Sequence, residues 1–232
     1  MNNINKTTKA ITPLLPLWSY QLQMDSKLAI RTRKDLEVHL ITRALKDEAF
    51  RHKLVANPKA VIEEELGKKL PATFEIITVE ETETTLYMVL PCNPYEGVSE
   101  EELKSLVGMA YEDIAQWVLE QQRNTLLDEV SSVPMFIRVW KDKDFKHKLL
   151  YSPKMVIEEE CGVEIPENIE IKILEETVHI LYIVLPRLDN ELVPKMIEWF
   201  DDIKSARKPQ PLFAKIPVGY CSSFQYGSSC SS

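Results

Sequence analysis

The sequence predicts an α+β fold: two tandem helical units, each ending in a β-hairpin, followed by a disordered C-terminal tail. Three observations carry this prediction. One stretch occurs twice: RALKDEAFRHKLVANP at 43–58 returns as RVWKDKDFKHKLLYSP at 138–153, KAVIEEELG at 59–67 as KMVIEEECG at 154–162, and LYMVLP at 86–91 as LYIVLP at 181–186. Roughly half the aligned positions are identical across about 50 residues, which shared periodicity alone does not produce. Within each copy, apolar residues first recur at helical spacing. The copy then closes on two short runs rich in β-branched and aromatic residues.

The elements follow in chain order. Residues 1–30 are interrupted by Pro13 and Pro16 and read as an N-terminal arm. Leu36, Leu40, Ile41 and Leu45 form the stripe of an amphipathic helix over 35–47. Asp47 is placed to cap a second short helix through Phe50 and Leu54, which Asn57-Pro58 ends, because a residue before proline avoids the helical region. Pro58 suits the first turn of a third helix, and Gly67 suits its left-handed C-terminal cap. The run Glu63-Glu64-Glu65 reads as a solvated helix face, since adjacent carboxylates fan apart.

Segments 73–79 and 84–90 read as an antiparallel hairpin, as do 168–174 and 178–185 in the second copy. Such hairpins are marginal alone, so they are expected to share a sheet or lie under helices. Ser99 and Glu102 form a capping box that opens one long connecting helix towards Leu126. Ser131-Ser132-Val133-Pro134 reads as the punctuation before the second unit, and Met196, Ile197, Phe200 and Ile203 mark a closing helix over 193–206. The expected organisation is an arm (1–30), a first repeat (31–98), a connecting helix (99–130), a second repeat with closing helix (131–208) and a Ser/Cys-rich tail (209–232).

Composition excludes several classes of function. With 44% hydrophobic and 28% charged residues the chain reads as an ordinary globular protein, and a net charge of −8 repels phosphate backbones, so no nucleic-acid partner is expected. No apolar run is long enough to insert into a membrane, and the apolar patch near the N-terminus is broken by its prolines. A cytoplasmic location fits the four cysteines, which show no metal-type spacing. No phosphate loop, nucleophile elbow or HExxH motif is present. His52 and His147 recur in Lys/Arg-flanked helical positions and read as surface trim.

The repeated motif, Arg-x-Leu/Trp-x-Asp-x-x-Phe-Arg/Lys-x-Lys-Leu-x-x-Asn/Ser-Pro before a Gly-ended helix, resembles the α-subunit of nitrile hydratase. More closely, it is similar to the nitrile-hydratase-like leader peptides of proteusin-type precursors, and SEEELKSLVG at 99–108 looks like that family's leader ending. Hydratase chemistry would need the family's Cys-x-Leu-Cys-Ser-Cys metal claw after the second strand. This chain has only Cys92 there in the first copy and Arg187 in the second, so it is expected to be no enzyme and to carry no cofactor or metal.

The resemblance implies a ribosomally synthesised, post-translationally modified peptide precursor. Its folded leader would recruit a peptide-modifying enzyme, and an exporting peptidase could follow. The tail supplies the chemistry: Cys221 and Cys230 lie among Ser222, Ser223, Ser228, Ser229, Ser231 and Ser232. A thiolate adds to a dehydrated serine, and a Ser or Cys side chain can cyclise onto the preceding carbonyl. A plain disulfide or an unmodified tail is the competing reading of the same residues. The Gly-Gly ending of such leaders is absent, and Gly219 is the candidate cleavage position. Leader recognition is expected around Phe50, Leu54 and Pro58 or their copies Phe145, Leu149 and Pro153. The alternative function is a catalytically inactive hydratase-like scaffold that binds a partner protein.

Overall fold

Caps and apolar stripes set the helices where the sequence places them. A computed structural model describes residues 33–106, 108–121 and 129–188, together with Pro194. The first repeat forms α1 (Arg33–Lys46), α2 (Glu48–Ala56), α3 (Pro58–Leu66), β1 (Glu75–Glu80) and β2 (Thr85–Leu90). Helices α4 (Glu100–Leu106) and α5 (Tyr111–Gln121) follow. The second repeat forms α6 (Glu129–Lys141), α7 (Lys143–Tyr151), α8 (Pro153–Cys161), β3 (Glu170–Glu175) and β4 (Ile180–Leu185). The closing helix expected over 193–206 and the tail lie outside the described residues.

The expected antiparallel hairpins do not form. β1 pairs in parallel with β4, in the register Ile76↔Leu181 to Glu80↔Leu185, and β2 pairs in parallel with β3, from Thr85↔Glu170 to Leu90↔Glu175. Each two-stranded sheet therefore takes one strand from each repeat. The ends of the two ladders match: Glu75 N–H donates to His179 O at 2.7 Å and Glu170 N–H to Thr84 O at 2.7 Å, while Glu81 N–H donates to Leu185 O and Glu176 N–H to Leu90 O, both at 2.9 Å.

The physical reason lies in the second strand of each repeat. Leu86–Leu90 and Leu181–Leu185 are almost continuously apolar, whereas a half-exposed hairpin strand alternates. Pairing across repeats places apolar residues of these strands in the other repeat's core. The intervening helices act as the long crossover that a parallel pair requires.

The exchange produces two cores. The first joins Leu40, Ile41, Leu54 and Ile62 of α1–α3 to Ile76 of its own repeat and to Leu181, Ile183 and Leu185 of the other. The second joins Phe136, Phe145, Leu149 and Ile157 of α6–α8 to Ile171 of its own repeat and to Met88 and Leu90 of the other. A smaller cluster seats Leu103, Tyr111, Ile114 and Val118 of α4 and α5 against Ile137 and Trp140 on α6. Trp140 also donates its indole N–H to Pro91 O at 3.1 Å, tying the end of β2 to the second repeat.

Two local expectations also change. The single connecting helix is two, because Gly108 takes a left-handed φ of 75° and its N–H caps Leu103 O and Lys104 O. Asp113 then accepts from Ala110 N–H at 2.8 Å and restarts the helix. Pro134 does not precede the second unit but sits inside α6. As the sixth residue of the helix it lies past the first turn, so its missing N–H removes one bond of the helical ladder.

Candidate functional site

The repeated helix–turn–helix around Pro58 and Pro153 is built twice to one plan. Asp47 Oδ1 accepts from Phe50 N–H at 3.0 Å, and Asp142 Oδ1 accepts from Phe145 N–H at 2.9 Å, so each carboxylate starts its helix. Arg43 lies over the Phe50 ring at 4.2 Å and Arg138 over Phe145 at 4.0 Å, and the same arginines pair with Glu65 and Glu160. Lys59 donates to Pro71 O at 2.6 Å and Lys154 to Pro166 O at 2.7 Å, which fixes each third helix to the loop before its strand. Glu63 accepts from Leu70 N–H at 3.0 Å and Glu158 from Ile165 N–H at 2.8 Å. The Glu63-Glu64-Glu65 run is thus only partly a solvated face. Glu64 is exposed, while Glu63 and Glu65 hold structure.

Of the residues expected at a recognition surface, Phe50, Leu54, Phe145 and Leu149 are buried in the two cores. Pro58 and Pro153 are half-buried at the helix junctions. The structure therefore places two kinds of residue at each junction, apolar ones that shape it from inside and a rim that solvent reaches. Gly219, Cys221, Ser222, Ser223, Ser228, Ser229, Cys230, Ser231 and Ser232 lie outside the described residues.

At the position of the hydratase claw, Cys92 is half-buried and its thiol donates to Asn93 O at 3.7 Å. Burial pushes that thiol up to about 11, and the nearby Glu96, Glu176 and Glu175 carboxylates push in the same direction. Such a thiol is a poor nucleophile and a reluctant ligand. Arg187 occupies the equivalent place in the second repeat. His39 lies 2.7 Å from Glu65 and His52 lies 3.7 Å from Glu48, both on helices. Among the described residues, no group of three or more His, Cys, Asp or Glu side chains is arranged to hold a metal ion.

The sequence reading missed the buried charge cluster between the repeats. Arg33 donates to both carboxylate oxygens of Glu176, at 2.6 and 2.7 Å, and to Glu37 at 2.6 Å. Burial acts against the guanidinium charge, but the Glu176 and Glu37 carboxylates outweigh it and hold Arg33 protonated more firmly than usual. The available clue was the recurring Glu-Glu-Thr at 80–82 and 175–177, whose second glutamate, Glu81 or Glu176, is buried in both copies. The first glutamates serve a related purpose: Arg51 pairs with Glu80 and Lys146 with Glu175, and Arg51 also donates to Pro186 O at 2.8 Å.

Residues 42–111 match the family model described as nitrile hydratase, alpha chain. Over that stretch the chain is similar to a nitrile hydratase α chain. This hydratase-like match spans α2–α4 and both strands of the first repeat. The chain is also 36% identical over 84 residues to a protein named Polytheonamide B from Bacterium symbiont subsp. Theonella swinhoei (strain pTSMAC1). That match covers 34% of this chain and 57% of the relative, so little more than half of the relative's length is represented. Two double mutants of the Fe-type nitrile hydratase from Comamonas testosteroni Ni1 superpose at TM-scores of 0.44 and 0.42, with 17% and 15% identity. Each covers 85% of this chain, which spans 84% and 91% of those chains.

Proposed function

We propose that this chain is a ribosomally made precursor. Its hydratase-like repeats form a folded leader, and the Ser/Cys segment 221–232 is the substrate of a peptide-modifying enzyme. The observation that carries the reading is the 36% identity to Polytheonamide B, a relative that is not named as a hydratase. The state of Cys92 supports it. One half-buried thiol, held protonated by its surroundings, is a poor start for the claw of soft ligands that hydratase chemistry uses.

On this reading the modifying enzyme grips the rims of the helix junctions around Pro58 or Pro153, while Phe50, Leu54, Phe145 and Leu149 keep those junctions in shape. The enzyme then acts on Cys221, Ser222, Ser223, Ser228, Ser229, Cys230, Ser231 and Ser232, and a peptidase cuts near Gly219. The precursor works in the cytoplasm. Consistent with that, no described helix is long and apolar enough to cross a membrane.

Intact-mass measurement after co-expression with each enzyme encoded beside the gene tests the proposal. Loss of water from the tail fragment, or failure of Cys221 and Cys230 to alkylate, is the expected result. An unchanged tail mass with both thiols reactive under every enzyme overturns it in favour of an inactive scaffold.

A further inference from the structure

The two repeats are images of one another. Glu75 of the first pairs with Ile180 of the second, and their counterparts Glu170 and Thr85 pair in the same way. An element that packs on one repeat therefore has a matching place on the other. Helix α6 is covered along one face by α4 and α5, where Ile137 and Trp140 meet Leu103, Tyr111, Ile114 and Val118. Lys141 closes the end of that contact. Its Nζ lies 2.7 Å from Glu100 and 4.8 Å from the centre of the Tyr111 ring.

The matching face of α1 carries Thr42, Leu45 and Lys46. Thr42 and Leu45 are only 3% and 8% exposed, and Lys46 is engaged, as its counterpart Lys141 is. Helix α5 packs mainly along α6 and meets α1 only at its margin. The place on α1 calls for a second such element.

Two stretches outside the described residues lie within reach of it, the arm before α1 and the stretch after β4. The exits of the strands favour the second. Trp140 of the second repeat donates to Pro91 O, just after β2, at 3.1 Å, and Arg51 of the first donates to Pro186 O, just after β4, at 2.8 Å. Each strand thus ends pinned to the opposite repeat, so the chain after β2 is delivered to α6 and the chain after β4 to the repeat of α1. The residues agree with this. Phe200-Asp201-Asp202-Ile203 repeats the order aromatic, acid, Asp, Ile of Tyr111-Glu112-Asp113-Ile114. Pro194, the described residue of this stretch, is helical.

We infer that residues 191–205 are the cover of α1: Phe200 and Ile203 seat against Thr42 and Leu45, and Lys46 lies over the Phe200 ring. The first repeat thereby binds a segment of its own chain, through an apolar pair and a cation–π contact that copy the grip of α6 on α5. This also fixes the side of the molecule from which the chain runs on towards Cys221. The inference is independent of whether that tail is modified.

The test uses the full chain and native-state amide exchange read by mass spectrometry. Phe200→Ala combined with Ile203→Ala should speed exchange in α1 at least tenfold and leave α6 unchanged, because α6 keeps its own cover. Trp18→Ala combined with Leu22→Ala, in the arm, should change neither helix. The reverse pattern, with α1 loosened by the arm changes and not by those at 200 and 203, overturns the inference and makes the arm the cover. Lys46→Met and Phe200→Leu form a milder pair that keeps apolar bulk. Combined, their shifts of the urea midpoint should fall short of the sum of the two, since each removes the same contact. Additive shifts overturn the pairing of Lys46 with Phe200.

Discussion

Arg33, at the start of the first repeat, holds Glu176, at the turn between the strands of the second, through two hydrogen bonds of 2.6 and 2.7 Å. Glu176 Oε1 also accepts from Tyr182 N–H at 3.0 Å, which sets the first residues of β4 beside α1. The pair is only 4% and 6% exposed, so removing one partner strands the other charge away from water. Arg33→Met takes the cation from Glu176 and Glu37 together and should therefore cost about 3–5 kcal/mol in urea unfolding. Because the strands are exchanged, the loss should fall on both repeats. Far-UV circular dichroism and tryptophan fluorescence should move together in one transition. Separate transitions for the two signals would show that the repeats unfold independently.

A half-chain ending after α4 should not give a folded monomer. Residues 33–106 keep α1–α3 but lose Leu181, Ile183 and Leu185 from the first core, together with the strand that pairs with β1. In the full chain, β4 is the copy of β2 that completes this core. Two half-chains can therefore complete one another by giving each other β2. Sedimentation should show a dimer, or circular dichroism a largely unfolded chain. A folded, monomeric half-chain would contradict the exchange.

Glu65 offers a test by pH. Burial acts to raise its carboxyl, but hydrogen bonds from His39 and Arg43 outweigh it and hold the group below the usual carboxylate range. A depressed carboxyl contributes stability that is present above its unfolded value, near 4.3, and is lost as pH falls through the lower folded value. Glu65→Gln should thus cost roughly 1 kcal/mol at neutral pH, as partly exposed pairs do. The gap to wild type should narrow as pH falls below about 4.3. A gap that stays constant from pH 7 to pH 3 would show that the ion pairs contribute nothing.

The helices were legible because their signals are local. Asp47, Asp142, Pro58, Pro153 and Gly67 each act on backbone groups within a few residues, and each does what its side chain dictates. Gly108 carried the same kind of local signal, and reading through it joined α4 to α5 in error. Strand partnership was not legible, because the choice between a hairpin and an exchanged parallel pair depends on which core lies behind Met88 or Ile183. Only the apolar continuity of Leu86–Leu90 hinted at it. The repeats also showed which residues recur, but not that Arg33, outside the repeated motif, would find Glu176.

Cys92 yields the last prediction. Its thiol is pushed up to about 11 by burial first and by surrounding carboxylates second. Alkylation proceeds through the thiolate, and an ordinary cysteine has a pKa of about 8.5. At pH 8 the thiolate fraction of Cys92 should be smaller by on the order of a hundredfold, and its labelling by iodoacetamide slower in proportion. Peptide mapping after timed labelling of the native chain reads Cys92 separately from the other cysteines. Unfolding in urea should bring Cys92 to the ordinary rate. Rapid native labelling would instead mark it as an activated thiol and reopen the case for soft-ligand chemistry after β2. Slow labelling that urea restores would place Cys92 among structural residues.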